Sequence, residues 1–172
     1  MFQPSRLVAA AVLTGAVAAC SGSGAAANPT ATADPPKPTF TIEVAPPLSK
    51  TYKSDGAAVT ASCRTPATGP WTLEYLAAGG TLGVSLTVYD GAAAKAGSND
   101  FILQIAPGES SNEPVLQMAP SGREMGAHGS TGSVTVSSSG STRTVIIKGV
   151  AYVRQGNSLN PLTFELTCPA AA

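Results

Sequence analysis

Leu162-Thr163-Phe164-Glu165-Leu166-Thr167-Cys168 alternates apolar and polar residues without a break. Successive side chains of an extended strand point to opposite faces. Leu162, Phe164, Leu166 and Cys168 therefore share one face, while Thr163, Glu165 and Thr167 share the other. A stretch of this kind reads as a strand with one side buried and one side wet. Working outward, the same period of two recurs in Phe40/Ile42/Val44, Val59/Ala61/Cys63, Trp71/Leu73/Tyr75 and Val84/Leu86/Val88. It recurs again in Phe101/Leu103/Ile105, Val134/Val136 and Val145/Ile147. Turn residues separate these runs at Gly79-Gly80, Asp90-Gly91, Ser139-Gly140 and Gly156-Asn157. Ser137-Ser138-Ser139-Gly140-Ser141 predicts a hairpin between strands near 132–138 and 142–154. Helical spacing is sustained nowhere beyond two turns, and Ala92–Ala96 allows one short helical turn. The expected fold class is all-β, an antiparallel β-sandwich or a flattened, partly open barrel. Pro107–Thr131 breaks the pattern: it is rich in Gly, Ser and Pro, with a mixed patch Val115-Leu116-Gln117-Met118, and predicts a long loop.

The chain opens differently. Arg6 is followed by an apolar stretch, Leu7 to Ala19, that ends in Val17-Ala18-Ala19-Cys20. A charged start, an apolar stretch of this length and small residues before a cleavage point predict a secretory signal. A cysteine directly after the small residues is the pattern of a bacterial lipoprotein signal, in which the Cys20 thiol takes a diacylglyceryl group and the chain is cut before it. The competing reading is an ordinary cleaved signal with a chance cysteine. The apolar stretch is shorter than the ~20 residues of a spanning helix, so the expected anchor is fatty. Each buried methylene contributes ~0.8 kcal/mol, and stable attachment takes more than one chain. Residues 21–39 hold four prolines and no apolar period, which predicts an extended tether reaching roughly 60 Å at ~3.1 Å per residue. Thr30, Thr32 and Thr39 among Ala and Pro suit O-glycosylation; an unmodified linker is the alternative. The expected organisation is a cleaved signal at 1–19, a tether with lipidated Cys20 at 20–39 and a β-domain at 40–169.

Composition narrows the function classes. Only 12% of the 172 residues are charged and the formal net charge is zero. Losing residues 1–19 removes Arg6 and leaves nine Lys and Arg against ten Asp and Glu. There is no basic footprint for nucleic acid. With Cys20 committed to lipid, Cys63 and Cys168 remain, each in phase with the apolar face of its strand. In an exported, oxidising setting such a pair predicts a disulfide; two free buried thiols are the alternative. Chemistry is sparse. His128 is the only histidine, set between glycines, and Ser130 and Ser133 nearby lack an orienting carboxylate. Glu43, Glu74 and Glu165 fall on the polar phase of their strands, facing solvent rather than each other. One histidine and scattered carboxylates make no metal ligand set. No enzyme activity, cofactor or metal is expected.

Taken together, the residues resemble the mycobacterial nineteen-kilodalton lipoprotein antigen family. The likeness is carried by Asp55-Gly56 leading to Val59-Thr60-Ala61-Ser62-Cys63, and by Gly132-Ser133-Val134-Thr135-Val136. Thr144-Val145-Ile146-Ile147-Lys148-Gly149-Val150-Ala151 and Asn160–Cys168 complete it, over nearly the whole mature domain. The resemblance implies a lipid-anchored envelope antigen on the extracytoplasmic face of the cell membrane. It implies recognition by host receptors through the acylated N-terminus, glycosylation of the tether and a role as an adhesin. It also implies that Cys20 is the lipidated residue and Cys63–Cys168 the disulfide. The chain departs from the family pattern in the Pro107–Thr131 loop and in its Ala-Ala-Ala end, so the resemblance leaves open which partner it shares, a host receptor or an envelope component. The expected function is a non-enzymatic display or interaction module. The alternative is a carrier that holds an acyl ligand between its β-layers.

Overall fold

Ten antiparallel strands cross the described residues, 37–91, 93–108, 111–123 and 128–169, of a computed structural model. They are β1 (Thr39–Val44), β2 (Lys50–Lys53), β3 (Thr60–Arg64), β4 (Trp71–Leu76) and β5 (Leu82–Val88). The others are β6 (Phe101–Pro107), β7 (Leu116–Met118), β8 (Thr131–Ser139), β9 (Thr142–Val153) and β10 (Ser158–Pro169). A single sheet joins them in the order β2-β1-β10-β9-β7-β6-β5-β4-β3, with β8 added beside β9. The sheet curls, and the all-β expectation holds.

The alternation decides which side faces in. Leu162, Phe164, Leu166 and Cys168 of β10 are buried, and Glu165 between them is exposed. Their counterparts Leu73 and Tyr75, Val84, Leu86 and Val88, and Phe101, Leu103 and Ile105 are buried from the opposite half of the sheet. All belong to one apolar cluster. The halves touch directly: the Phe40 and Tyr75 rings, from β1 and β4, meet edge to face with centroids 4.8 Å apart. Truncating one of these large buried side chains to alanine costs roughly 2–5 kcal/mol.

β9 carries the change from one half to the other. Along one edge it pairs with β10 over its whole length. Its other edge is shared, with β8 against Thr142–Val150 and β7 against Tyr152 and Val153. Where the partners change over, Gly132 and Gly149 face each other across the ladder. A β-carbon on Gly149 would collide with the Thr131 carbonyl and Gly132 Cα, and would sit 2.7 Å from the Met118 methyl of β7. Two glycines and one methionine thus let three strands converge where any larger pair would force them apart.

Several expectations need correction. Val59 does not point inward: it lies just before β3 and is 70% exposed. Its partners in phase, Ala61 and Cys63, are only half-buried, because β3 is the last strand of the sheet and is covered from one side. The 107–131 segment is not one long loop, since Leu116–Met118 forms β7 and pairs with both β6 and β9. β2 adds a short edge strand beside β1 whose Lys50 and Lys53 discourage further strand pairing. The 137–141 hairpin forms with Gly140 at φ 55° in its turn, the conformation in which glycine carries no steric penalty. Ala93–Lys95 makes a single 3-10 turn in the region of the expected helical turn.

Candidate functional site

Among the predicted site residues, Cys20, Thr30 and Thr32 lie outside the described residues. Thr39 is the first residue of β1, exposed and paired with Thr167. Cys63 and Cys168 are joined by a disulfide with Cα atoms 5.8 Å apart, within the ordinary range for such a bond. It ties the outermost strand β3 to β10 on the far half of the sheet. Cys168 is fully buried and Cys63 only partly.

The candidate catalytic groups are not brought together by the fold. The exposed His128 ring meets Tyr152 edge-on, centroids 6.3 Å apart. The Ser130 hydroxyl accepts a hydrogen bond from the Ala119 N–H at 3.0 Å. Ser133 is an exposed residue of β8. Glu43, Glu74 and Glu165 stand exposed on β1, β4 and β10, on the outer faces of their strands. Among the described residues no cluster of three or more His, Cys, Asp and Glu side chains is placed to hold a metal ion.

Two polar clusters pin loops. Glu113, in the connection between β6 and β7, accepts from Lys50 Nζ at 2.6 Å and from the Tyr52 hydroxyl at 2.9 Å. It thereby straps that connection to β2. The Lys50 hydrogen bond, and then that of Tyr52, hold the Glu113 carboxyl below its ordinary range. Burial, with Glu113 alongside, pushes the Tyr52 phenol above its own. Near β6, Arg123 binds both carboxylate oxygens of Asp100 and lies over the Tyr89 ring, 4.2 Å from its centre. The Asp100 carboxyl is lowered chiefly by that guanidinium.

Two surface concavities are formed by the strands themselves. One, of about 370 Å³, lies on the outward face of β4, β5 and β6. Register places Ser62, Glu74, Ser85, Gln104 and Gln117 in a single row across β3 to β7. The next row holds Thr60, Leu76, Gly83 and Ala106. Gly83 and Ala106 keep that end of the groove low, while Leu76 stands 41% exposed beside it. No sequence pattern announced this row, since its members come from different strands. The second concavity, about 530 Å³, lies beside Glu43, Thr51, Lys148 and Thr163 on the outward face of β1, β2, β9 and β10. An acyl carrier would instead need an opening between the halves of the sheet, where Leu73, Ile105, Ile147 and Phe164 are fully buried.

Compared with protein-family models, with curated proteins and with solved structures, the chain matches none.

Proposed function

We propose that this chain is an exported lipoprotein, held to the extracytoplasmic face of a cell membrane by fatty acylation of Cys20, and that its β-domain is a non-enzymatic display and interaction module. The observation that carries the reading is Val17-Ala18-Ala19-Cys20 at the close of the apolar stretch Leu7–Ala19. The Cys63–Cys168 disulfide supports it, because such bonds persist in oxidising, exported settings and are rare in the cytosol. The Pro- and Thr-bearing segment between Cys20 and β1 supplies the reach that a membrane-held domain requires. Resemblance to the nineteen-kilodalton lipoprotein antigens adds the role of an envelope antigen or adhesin that host receptors meet through the acylated end.

Intact-mass measurement of the native N-terminus tests the anchor. Two or three fatty chains on a chain beginning at Cys20 are expected, and Cys20→Ala should move the protein from the membrane fraction into the medium. A bare N-terminus, or a Cys20→Ala protein still retained by membranes, would overturn the reading.

A further inference from the structure

We infer that the groove across β4, β5 and β6 is a binding site for a neutral, hydroxyl-rich oligosaccharide. Three observations converge on it.

The first is what the floor offers. Glu74, Ser85 and Gln104 are lateral neighbours on adjacent strands, and Gln117 continues the row. Neighbouring strands lie ~4.8 Å apart, so these groups are spaced at intervals comparable with the repeat of a sugar chain laid across them. A carboxylate accepts two hydroxyl hydrogen bonds, a carboxamide both donates and accepts, and a serine does either. Vicinal hydroxyls of a sugar ring are matched by this mixture.

The second is charge. Among the described residues lining the groove, Glu74 is the one that carries a charge. Phosphorylated, sulfated or nucleic-acid ligands would meet a carboxylate and no cation, and a single carboxylate is too little to capture a divalent ion. The complementary ligand is uncharged.

The third is where the groove runs. It lies mainly over the face of β4 and β5, each paired on both sides, so their backbone groups are spent in the ladders. An extended peptide usually docks by adding main-chain hydrogen bonds at a free edge, which here is the outer side of β3, beside the groove and not on its floor. Recognition must pass through side chains, which suits a ligand bringing its own hydroxyls. The low apolar end made by Leu76, Gly83 and Ala106 gives the C–H face of a ring somewhere to rest.

The groove can be filled without breaking the sheet. A β-carbon on Gly83 would meet the Ala106 carbonyl oxygen at 3.7 Å and its β-carbon at 3.9 Å, ordinary contacts. Gly83→Val therefore adds bulk where the ligand would sit, at a strand position that favours a branched residue.

The inference holds whether or not Cys20 is acylated, so its failure and that of the anchor are separable. The test titrates the full chain, in a detergent without a sugar headgroup, with neutral cello-, malto- and mannohexaose and with a sulfated heparin hexasaccharide. Binding of at least one neutral hexasaccharide is expected, with amide shifts at Glu74, Ser85, Gln104 and Gln117. Gly83→Val and Gln104→Ala should each weaken it at least tenfold, with the urea midpoint of the fold unchanged. Failure of every neutral hexasaccharide to bind at millimolar concentration would overturn the assignment. So would a preference for the sulfated chain, shifts confined to the Thr163/Lys148 face, or affinity that survives Gly83→Val.

Discussion

The indole of Trp71 lies directly against the α-carbon of Gly91. A β-carbon added to Gly91 would overlap the Cε2 and Nε1 atoms of the ring. That same Nε1–H donates to the Pro66 carbonyl at 2.9 Å, so the ring cannot slide away without losing a hydrogen bond. Gly91→Ala should displace Trp71 and destabilise the fold by about 1–3 kcal/mol. Because the chain has a single tryptophan, its fluorescence reports the displacement without ambiguity. An unshifted emission maximum together with an unchanged urea midpoint would refute this packing.

The glycine pair beneath Met118 is tighter still. Gly149→Ala meets the Thr131 carbonyl as well as the Met118 methyl, and backbone cannot yield as a side chain can. A loss of roughly 3 kcal/mol is expected. Shortening the neighbour in the double variant Gly149→Ala/Met118→Ala should not restore stability, because the Thr131 oxygen stays in place. Recovery in the double variant would show that the side chain, not the backbone, set the limit.

Removing the disulfide by Cys63→Ala/Cys168→Ala frees a closure spanning 105 positions of sequence. The chain-entropy account assigns such a closure ~4–5 kcal/mol. The expected result is a markedly lower denaturation midpoint, matched when the unaltered protein is treated with reductant. A midpoint indifferent to both treatments would mean that the cysteines are not joined.

Acid should loosen the strap that Glu113 makes with Lys50 and Tyr52. The folded carboxyl sits below its ordinary value of 4.5. Its contribution is therefore present above about pH 4.5 and drains away as pH falls through the lower folded value. Glu113→Gln should lower the urea midpoint near neutrality and narrow its gap to the unaltered protein as pH falls below 4.5. A gap that is constant or widens on acidification would be inconsistent with the ion pair.

Much of the fold was legible because each of β1, β4, β5, β6 and β10 buries one face, which leaves a two-residue period in the sequence. β2 left no such trace: of Lys50-Thr51-Tyr52-Lys53 only Tyr52 is even half-buried, and the strand exists through pairing with β1. β7 is three residues long, too short to display a period, and is held by Leu103, Ile105 and Val153 opposite it. Val59 misled because alternation in Val59/Ala61/Cys63 runs on past the end of the strand. The cysteine pair was readable from phase once Cys20 was assigned to lipid and the chain to an oxidising setting. The row Glu74, Ser85, Gln104 and Gln117 was not, because cross-strand register creates it and no local spacing encodes register.

β9 gives one edge to two strands, and the ladder that joins the two halves of the sheet there is short, Leu116–Val153 and Gln117–Tyr152, with the Arg154 N–H donating to the Val115 carbonyl beside it. The molecule is built like a book: those two rungs are its spine, and Cys63–Cys168 is the clasp on the opposite margin. Undoing the clasp leaves the 54–59 connection from β2 into β3 as the covalent link between the covers on that side, so amides of β3 and β4 would exchange with solvent ahead of those in β9 and β10.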